Sequence, residues 1–443
     1  MTWVICPSRR KSQPWLKAVK PEQTVGMQHS QPSHLNWRDS FRVKSFRYQW
    51  PADLATSWAF EMETILLGWY ILSASGSVLM LVVYGSLQYL GSLVAPVFGV
   101  VCDRMGYRRM LWSTRAIYAL MAFVIMLLSY FQALTPERVL ILSAIVGTIR
   151  PSDQMMRNAL IAKTLPAAQL MGALGISRMT SESARIAGAL AGAGIVAVLG
   201  MTSAYAVVTF LYVLSFWLSR GVDDVQPTEH AAALASPLED LKSAFTYVWH
   251  KPILMGAMAV AFLVNLLAFP FSLGLLPYAA KNIFLTNQTG LGFLGASFAF
   301  GGLLASLTLS THKLKLRASQ TMIIASGVWF ALDLFFAFTS NLYIGMLVLM
   351  LAGFVQSLCM TPLAAVMLRA TEPAFHGRVM GMRMLAIWGL PIGLLASGPL
   401  VESIGYVSTA WVYSALGLVL TLAIALYWRH ALWDKSSVAN NAL

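Results

Sequence analysis

The side chains in this chain that can hold or exchange charge sit where the sequence is otherwise oily. Glu61 and Glu63 fall in the apolar run 52–74, Arg150, Asp153 and Arg157 in 138–159, and Arg178, Glu182 and Arg185 in 171–199. An ionisable group at mid-bilayer costs ~2.5–3.5 kcal/mol on insertion scales, so it faces a cavity or a partner. Glu61 and Glu63 are separated by about 200° of helix rotation. One is therefore expected to line a cavity while the other packs against a helix-borne arginine. Asp153 and Arg157 are spaced i, i+4 and can pair along one helix. Arg178, Glu182 and Arg185 share one helical stripe. Desolvation disfavours a charged carboxyl and a nearby arginine favours it, so a change of partner can load and unload a proton. The proton-carrying candidates are, in order, Glu61, Glu182, Glu63 and Asp153. Arg150 and Arg178 are candidates for the counter-charge or for holding an anionic solute. Arg185 divides evenly between a cavity role and a fixed ion pair, and Asp153–Arg157 leans towards the fixed pair.

The second half of the chain offers fewer such groups. Asn265, Gln356, Arg383 and the aromatic Trp388 are its cavity candidates, and Asp333 reads as a membrane-edge residue or an isolated pair. Cys6, Cys102 and Cys359 lie too far apart for a disulfide framework or a metal spacing. The histidines fall in expected loops or tails, and no G-x-x-x-x-G-K-[ST] loop is present. Neither a metal nor a cofactor is expected. No nucleophile–base pair points to an enzyme.

The elements that must position these groups are membrane spans. Of the 443 residues, 58% are hydrophobic and only 11% charged, against about 25% charged in soluble domains. A spanning helix needs ~20 mostly apolar residues. Twelve such runs can be drawn, at 52–74, 77–101, 110–132, 138–159, 171–199, 202–219, 253–278, 289–311, 318–339, 342–368, 379–401 and 405–428. The expected organisation is a disordered tail at 1–50, a six-helix bundle at 51–220, a linker at 221–252, a second six-helix bundle at 253–430 and a short tail at 431–443. Leu238, Leu241, Phe245 and Val248 recur at helical spacing in the linker, which implies an amphipathic helix on the membrane surface.

Charge placement orients the spans. Lysine and arginine collect on the first tail and on every second loop, as in Lys313, Lys315 and Arg317, whereas the alternate loops carry only Arg138 and Lys281. This positive-inside bias puts both termini in the cytoplasm. The net charge of +13 is thus an orientation signal, and nucleic acid is not an expected partner. Shifting the first half by 205 residues lays Gly172 on Gly377, Arg178 on Arg383, Gly188 on Gly393 and Gly200 on Gly405. Two parallel six-helix repeats are a transporter plan with the solute site near the midplane between them.

The loop after the second span reads Gly99-Val-Val-Cys-Asp103-Arg104-Met-Gly106-Tyr-Arg108-Arg109. It resembles the G-x-x-x-D-R-x-G-R-[RK] signature of the major facilitator superfamily, with Tyr107 where the family has arginine. Gly99 permits close helix approach, and Asp103 can pair with an arginine or a helix N-terminus. The resemblance implies an all-α membrane protein with the major facilitator fold, twelve transmembrane helices in two pseudo-symmetric six-helix bundles. It also implies that Gly99, Asp103, Arg104, Gly106, Arg108 and Arg109 latch the outward-open state. Further stretches, Phe46-Arg-Tyr-Gln-Trp50, Arg157-Asn-Ala-Leu160 and Arg185-Ile-Ala-Gly188, resemble the subgroup of the enterobactin exporter and macrolide efflux proteins. That subgroup's helix 5 has proline where this chain has Ala189. The resemblance spans nearly everything after residue 45. It implies a monomeric, multi-pass cell-membrane transporter (the inner membrane in a bacterium), whose partners are a small-molecule substrate, protons and the lipid bilayer. Export of a siderophore or drug-like compound is the implied direction, with uptake by the same fold as the alternative.

Overall fold

The computed structural model describes residues 37–92, 105–223, 237–311, 316–372 and 375–433. Every regular element among them is helical. The first long helix, α1 (Lys44–Ser75), starts well before the expected span. Phe46, buried with Ile161, Leu165 and Ala173, anchors its early turns. Residues 1–36 of the expected tail lie outside the described residues. α1 ends where Gly76 takes φ 66° and returns its N–H to the Leu72 carbonyl, a left-handed stop that glycine reaches without steric cost. Ser77 then caps α2 (Val78–Leu87) by accepting from the Met80 N–H. α3 (Tyr107–Tyr130) and α4 (Pro136–Thr164) follow, the latter opened by the Thr135 cap and Pro136.

Ala167–Ser219 is one helical stretch interrupted at Gly200, with φ 79° and ψ 176°. It therefore divides into α5 (167–199) and α6 (201–219). Gly405 has φ 84° and ψ 164° at the corresponding break in the second half. Such a backbone is open to glycine and strained for other residues. The internal repeat therefore extends to matching backbone breaks at matching sequence positions.

The linker helix α7 (Pro237–Trp249) buries Val248 and leaves Phe245 and Trp249 stacked on each other and exposed. α8 (Pro252–Leu267) carries on through wide π-helical turns at Pro270–Gly274 and Ala279–Ile283. Pro270 and Pro277 lack the N–H a regular helix needs, and the chain answers with i+5 bonds such as Leu275 N–H to Pro270 O at 2.7 Å. α9 (Gln288–Thr311), α10 (Ala318–Phe338), α11 (Leu342–Ala370), α12 (His376–Ala386), α13 (Gly389–Ile404) and α14 (Tyr406–Tyr427) complete the bundle.

Eight of the described helices are long and apolar enough to cross a membrane. α1 and α4 are not among them because of the acids and arginines they carry, α2 with the turn after it is apolar but shorter (Val78–Ser92), and α5 and α6 count as one. The pattern is consistent with twelve crossings. Each half has its own core, one around Met62, Leu66, Tyr118 and Tyr205, the other around Phe271, Trp329 and Phe330. The second core also takes in Val78 and Val82 of α2, so the halves pack directly on one another.

Candidate functional site

A cavity of about 140 Å³ lies between the halves, and its two walls differ in chemistry. The first half contributes Glu61, Thr64, Gln88, Tyr89, Arg150 and Arg185. The second half contributes Leu273, Leu276, Pro277, Phe298, Leu390 and Leu394. α1, α4 and α5 therefore supply the charge, and the irregular stretch of α8 with α9 and α13 supplies an oily wall. Buried width of this kind is available because small residues let helices close up. A Cβ on Gly188 would lie 2.7 Å from Glu61 Cβ, and one on Gly393 only 1.9 Å from the Leu266 carbonyl oxygen.

On the polar wall, Arg185 reaches two carboxylates, with Nε 3.8 Å from Glu61 Oε1 and Nη1 3.6 Å from Glu182 Oε2. Glu182 is buried while Glu61 and Arg185 remain partly open. Arg150 Nη1 donates to Gln88 Oε1 at 2.7 Å, and its guanidinium stacks on the Phe60 ring. Among the described residues no carboxylate lies within ion-pair distance of Arg150. Three of the expected cavity residues, Glu61, Arg150 and Arg185, thus meet here, with Glu182 joined to them through Arg185.

The two glutamates of α1 do face opposite ways, but Glu63 meets tyrosines rather than an arginine. It accepts from Tyr212 Oη at 3.0 Å and Tyr205 Oη at 3.4 Å inside the first half. Asp153 lies in a separate buried quartet. Arg115 pairs with Asp53 and stands 3.6 Å from Asp153, while Arg157 Nε is 2.6 Å from Asp153 and 3.6 Å from Asp53. Gln49, Ser57 and Ser219 add hydrogen bonds to it. Two acids balance two arginines there, which is the arrangement that makes buried charge tolerable.

Asn265, Gln356, Arg383 and Trp388 are not among the residues that line the cavity. Asn265 donates to the Ala261 carbonyl, Gln356 accepts from Ser357, and Trp388 has a buried Nε1 with no acceptor among the described residues. Arg383 is half-buried. The Arg178 side chain, Gly99, Asp103 and Arg104 lie outside the described residues. Gly106 opens α3 with φ 86°. Arg108 donates to the Arg220 carbonyl at 2.7 Å, and Arg109 is exposed. Asp333 is packed inside the second half. It is 1% exposed and accepts from Ser272 Oγ at 2.6 Å.

Sequence reasoning did not find Asp53–Arg115, Gln88, Tyr89 or the oily wall. Arg115, an arginine inside a span, was the available signal for a buried acid partner. The bonds that cross between halves among the described residues are Ser86 Oγ to Pro391 O at 3.3 Å and Lys281 Nζ to Leu72 O at 3.2 Å. Beyond the spans, Lys251 Nζ meets Tyr247 Oη at 2.5 Å and Glu372 Oε1 at 3.0 Å, joining the linker helix to the end of α11. The Lys251 hydrogen bond and charge hold the Glu372 carboxyl below its ordinary range. Partial burial works to lower Lys251, but Tyr247 and Glu372 together hold it above its usual value.

The sequence profile of the transmembrane secretion effector family, MFS_3, matches residues 38–442. The chain belongs to this family. Its fold is similar to that of solved transporters. The nucleoside transporter NupG shares 16% identity over 87% of this chain and 99% of its own, with a TM-score of 0.64. A bacterial homologue of the human lysosomal transporter Spinster, solved inward-facing and unoccupied, shares 12% over 89% and 99%, with a TM-score of 0.68. The human organic anion transporter TETRAN shares 16% over 86% and 99%, with a TM-score of 0.61. Comparison with curated proteins finds no significant match. Family and fold together make the chain a multi-pass membrane transporter of the major facilitator superfamily rather than an enzyme.

Proposed function

We propose that this chain is a proton-coupled exporter of a siderophore or drug-like small molecule, working as a monomer in the cell membrane with both termini cytoplasmic. The halves 51–220 and 253–430 rock about the linker 221–252 and expose the central site to each side in turn. One observation carries this reading. Arg185 bridges two carboxylates at the edge of a cavity that lies between the halves. A guanidinium shared by Glu61 and Glu182 can release one of them to a proton as the halves separate, because a change of partner is what alters a carboxyl's hold on its proton. The oily wall suits the apolar body of a bulky compound, and Thr64, Gln88 and Tyr89 suit its polar groups.

The contacts between halves fit one closed gate. Lys281 caps the last turn of α1, favourable for a cation at a helix C-terminus. The test uses everted and right-side-out membrane vesicles with an imposed pH gradient and a panel of fluorescent amphiphiles. Export predicts accumulation in everted vesicles only, and Glu61→Gln or Glu182→Gln abolishes gradient-driven accumulation while leaving exchange at equal pH. Accumulation only in right-side-out vesicles makes the chain an uptake carrier. Full gradient-driven activity in both variants removes these carboxylates from coupling.

A further inference from the structure

Among the described residues the basic pair of the signature loop makes no ion pair with an acid, and its surroundings suit a different task. The start of α3 meets the end of α6, and Arg108, Arg109, Trp112 and Arg220 line a cavity of about 460 Å³ there. Arg108 is held in place by its bond to the Arg220 carbonyl. The Arg220 guanidinium lies 4.2 Å from the Trp217 ring centre, 5.2 Å from Phe216 and 5.3 Å from Trp112. Trp112 and Phe216 are themselves stacked at 4.9 Å.

No carboxylate pairs with any of the three guanidiniums among the described residues. Two of the neighbouring acids are occupied elsewhere. Asp53 and Asp153 are taken by Arg115 and Arg157. Asp223, a turn beyond Arg220, makes no ion pair, and its backbone N–H is bound to Ser45 Oγ. Asp103 and Asp224 lie outside the described residues. The pocket thus holds three positive charges and aromatic walls. A guanidinium matches a phosphate with paired N–H donors, and an aromatic body with a polar neighbour is the usual furniture of the headgroup layer.

The apolar surface continues away from this pocket. Trp112 is 37% and Trp217 57% exposed, and further along the same two helices Leu120, Phe123, Phe210 and Leu214 are exposed as well. On 3.6-residue helices, 217, 214 and 210 share one face, and 112, 120 and 123 share another. An anion that bound here with a free, soluble body would leave this stripe without a role, whereas a phospholipid lays its acyl chains along it.

We propose that Arg108, Arg109 and Arg220 form a binding site for the phosphate headgroup of an anionic phospholipid, flanked by Trp112 and Trp217 and continued by the apolar faces of α3 and α6. The site is independent of the solute cavity, and it assigns the signature's basic pair to lipid. Lipid held here ties the first turn of α3 to the last turn of α6 within one half.

The test is a titration of the purified, delipidated full-length chain, followed by native mass spectrometry. The probes are phosphatidylglycerol, phosphatidylcholine with the same acyl chains, and inorganic phosphate as competitor. Wild-type protein retains one phosphatidylglycerol more tightly than the rest. Each of Arg108→Gln, Arg109→Gln and Arg220→Gln weakens it about 5-fold, as expected for roughly one basic residue's share at a membrane surface, and the triple variant about 100-fold. Arg109 is exposed, so Arg109→Gln folds even if the others do not, and Arg369→Gln serves as a basic control that changes nothing. Equal retention of the two lipids by wild type, or equal retention of phosphatidylglycerol by wild type and Arg109→Gln, overturns the proposal. Full displacement by inorganic phosphate overturns the lipid assignment and makes the pocket a site for soluble anions.

Discussion

Arg115→Gln is the perturbation whose effect the structure fixes most tightly. The quartet of Asp53, Arg115, Asp153 and Arg157 is neutral as a set, and none of its side chains is more than 9% exposed. Removing Arg115 leaves two buried carboxylates to share Arg157. That guanidinium already spends its Nε on Asp153 at 2.6 Å and reaches Asp53 only at 3.6 Å. Deleting one partner of a buried pair costs about 3–5 kcal/mol, a large share of a net stability of about 5–15 kcal/mol. Asp53→Asn should cost a similar amount with the opposite sign of surplus charge. The double variant Asp53→Asn/Arg115→Gln restores neutrality and keeps donors near Ser219, so it should be more stable than the sum of the singles by about 2–3 kcal/mol. Equilibrium unfolding in mixed micelles, followed by circular dichroism, gives all three values. Where unfolding does not reverse, the ratio of unfolding rates gives the same comparison. Single variants costing under about 1 kcal/mol, or a double variant that is simply additive, would refute the reading of these charges as a balanced buried clamp.

Three further outcomes follow from other sites. Gly393→Val places a Cβ 1.9 Å from the Leu266 carbonyl, forcing α13 off α8; it should lower stability by more than about 3 kcal/mol, and a well-folded variant in the same unfolding assay counts against the close packing. Asp333→Asn retains an acceptor for Ser272 Oγ, which in turn accepts from Trp329 Nε1 at 2.9 Å. It should change stability by less than about 1 kcal/mol, whereas Asp333→Leu, which strands the buried hydroxyl, should cost about 1–3 kcal/mol; the reverse order contradicts the assignment. The Lys251–Glu372 clamp has its own pH dependence. Glu372 is held below its ordinary value, so its contribution is present above that value and lost as pH falls through the lowered one. Lys251 is held above its ordinary value, so its share is present below that value and lost as pH rises through the raised one. Protease cutting near His250 should therefore be slowest at neutral pH and quicken towards both extremes, with Glu372→Gln flattening the acid limb.

Much of this architecture was legible because spans write themselves in hydropathy and the repeat in glycine spacing. Gly200 and Gly405 were matched by position alone, and both adopt the positive φ that only glycine takes easily. The opposed faces of Glu61 and Glu63 followed from helix rotation, as did the shared stripe on which Arg185 lies one turn from Glu182. What the sequence withheld was tertiary. Nothing local says that Arg115 meets Asp53, or that Glu63 is satisfied by Tyr205 and Tyr212 from α6. Nor does anything local say that Trp329 and Phe271 are fully buried in the second core. The start of α1 was missed because its early turns are amphipathic and buried by packing, as Phe46 and Gln49 show, and not by an apolar run.

Spin labels at both ends of the bundle test the account most directly. A Cβ on Gly175 or Gly381 would meet nothing within 4 Å, so Gly175→Cys/Gly381→Cys accepts labels across one end. Ala74→Cys with Leu285→Cys, both exposed and the latter 84% so, spans the other. Electron–electron double resonance on the reconstituted protein should show the two distances moving in opposite senses as pH is changed, with Glu61→Gln holding the distribution at one extreme. Distances at both ends that stay fixed at every pH, in wild type and in Glu61→Gln alike, would contradict a proton-gated exchange between two openings.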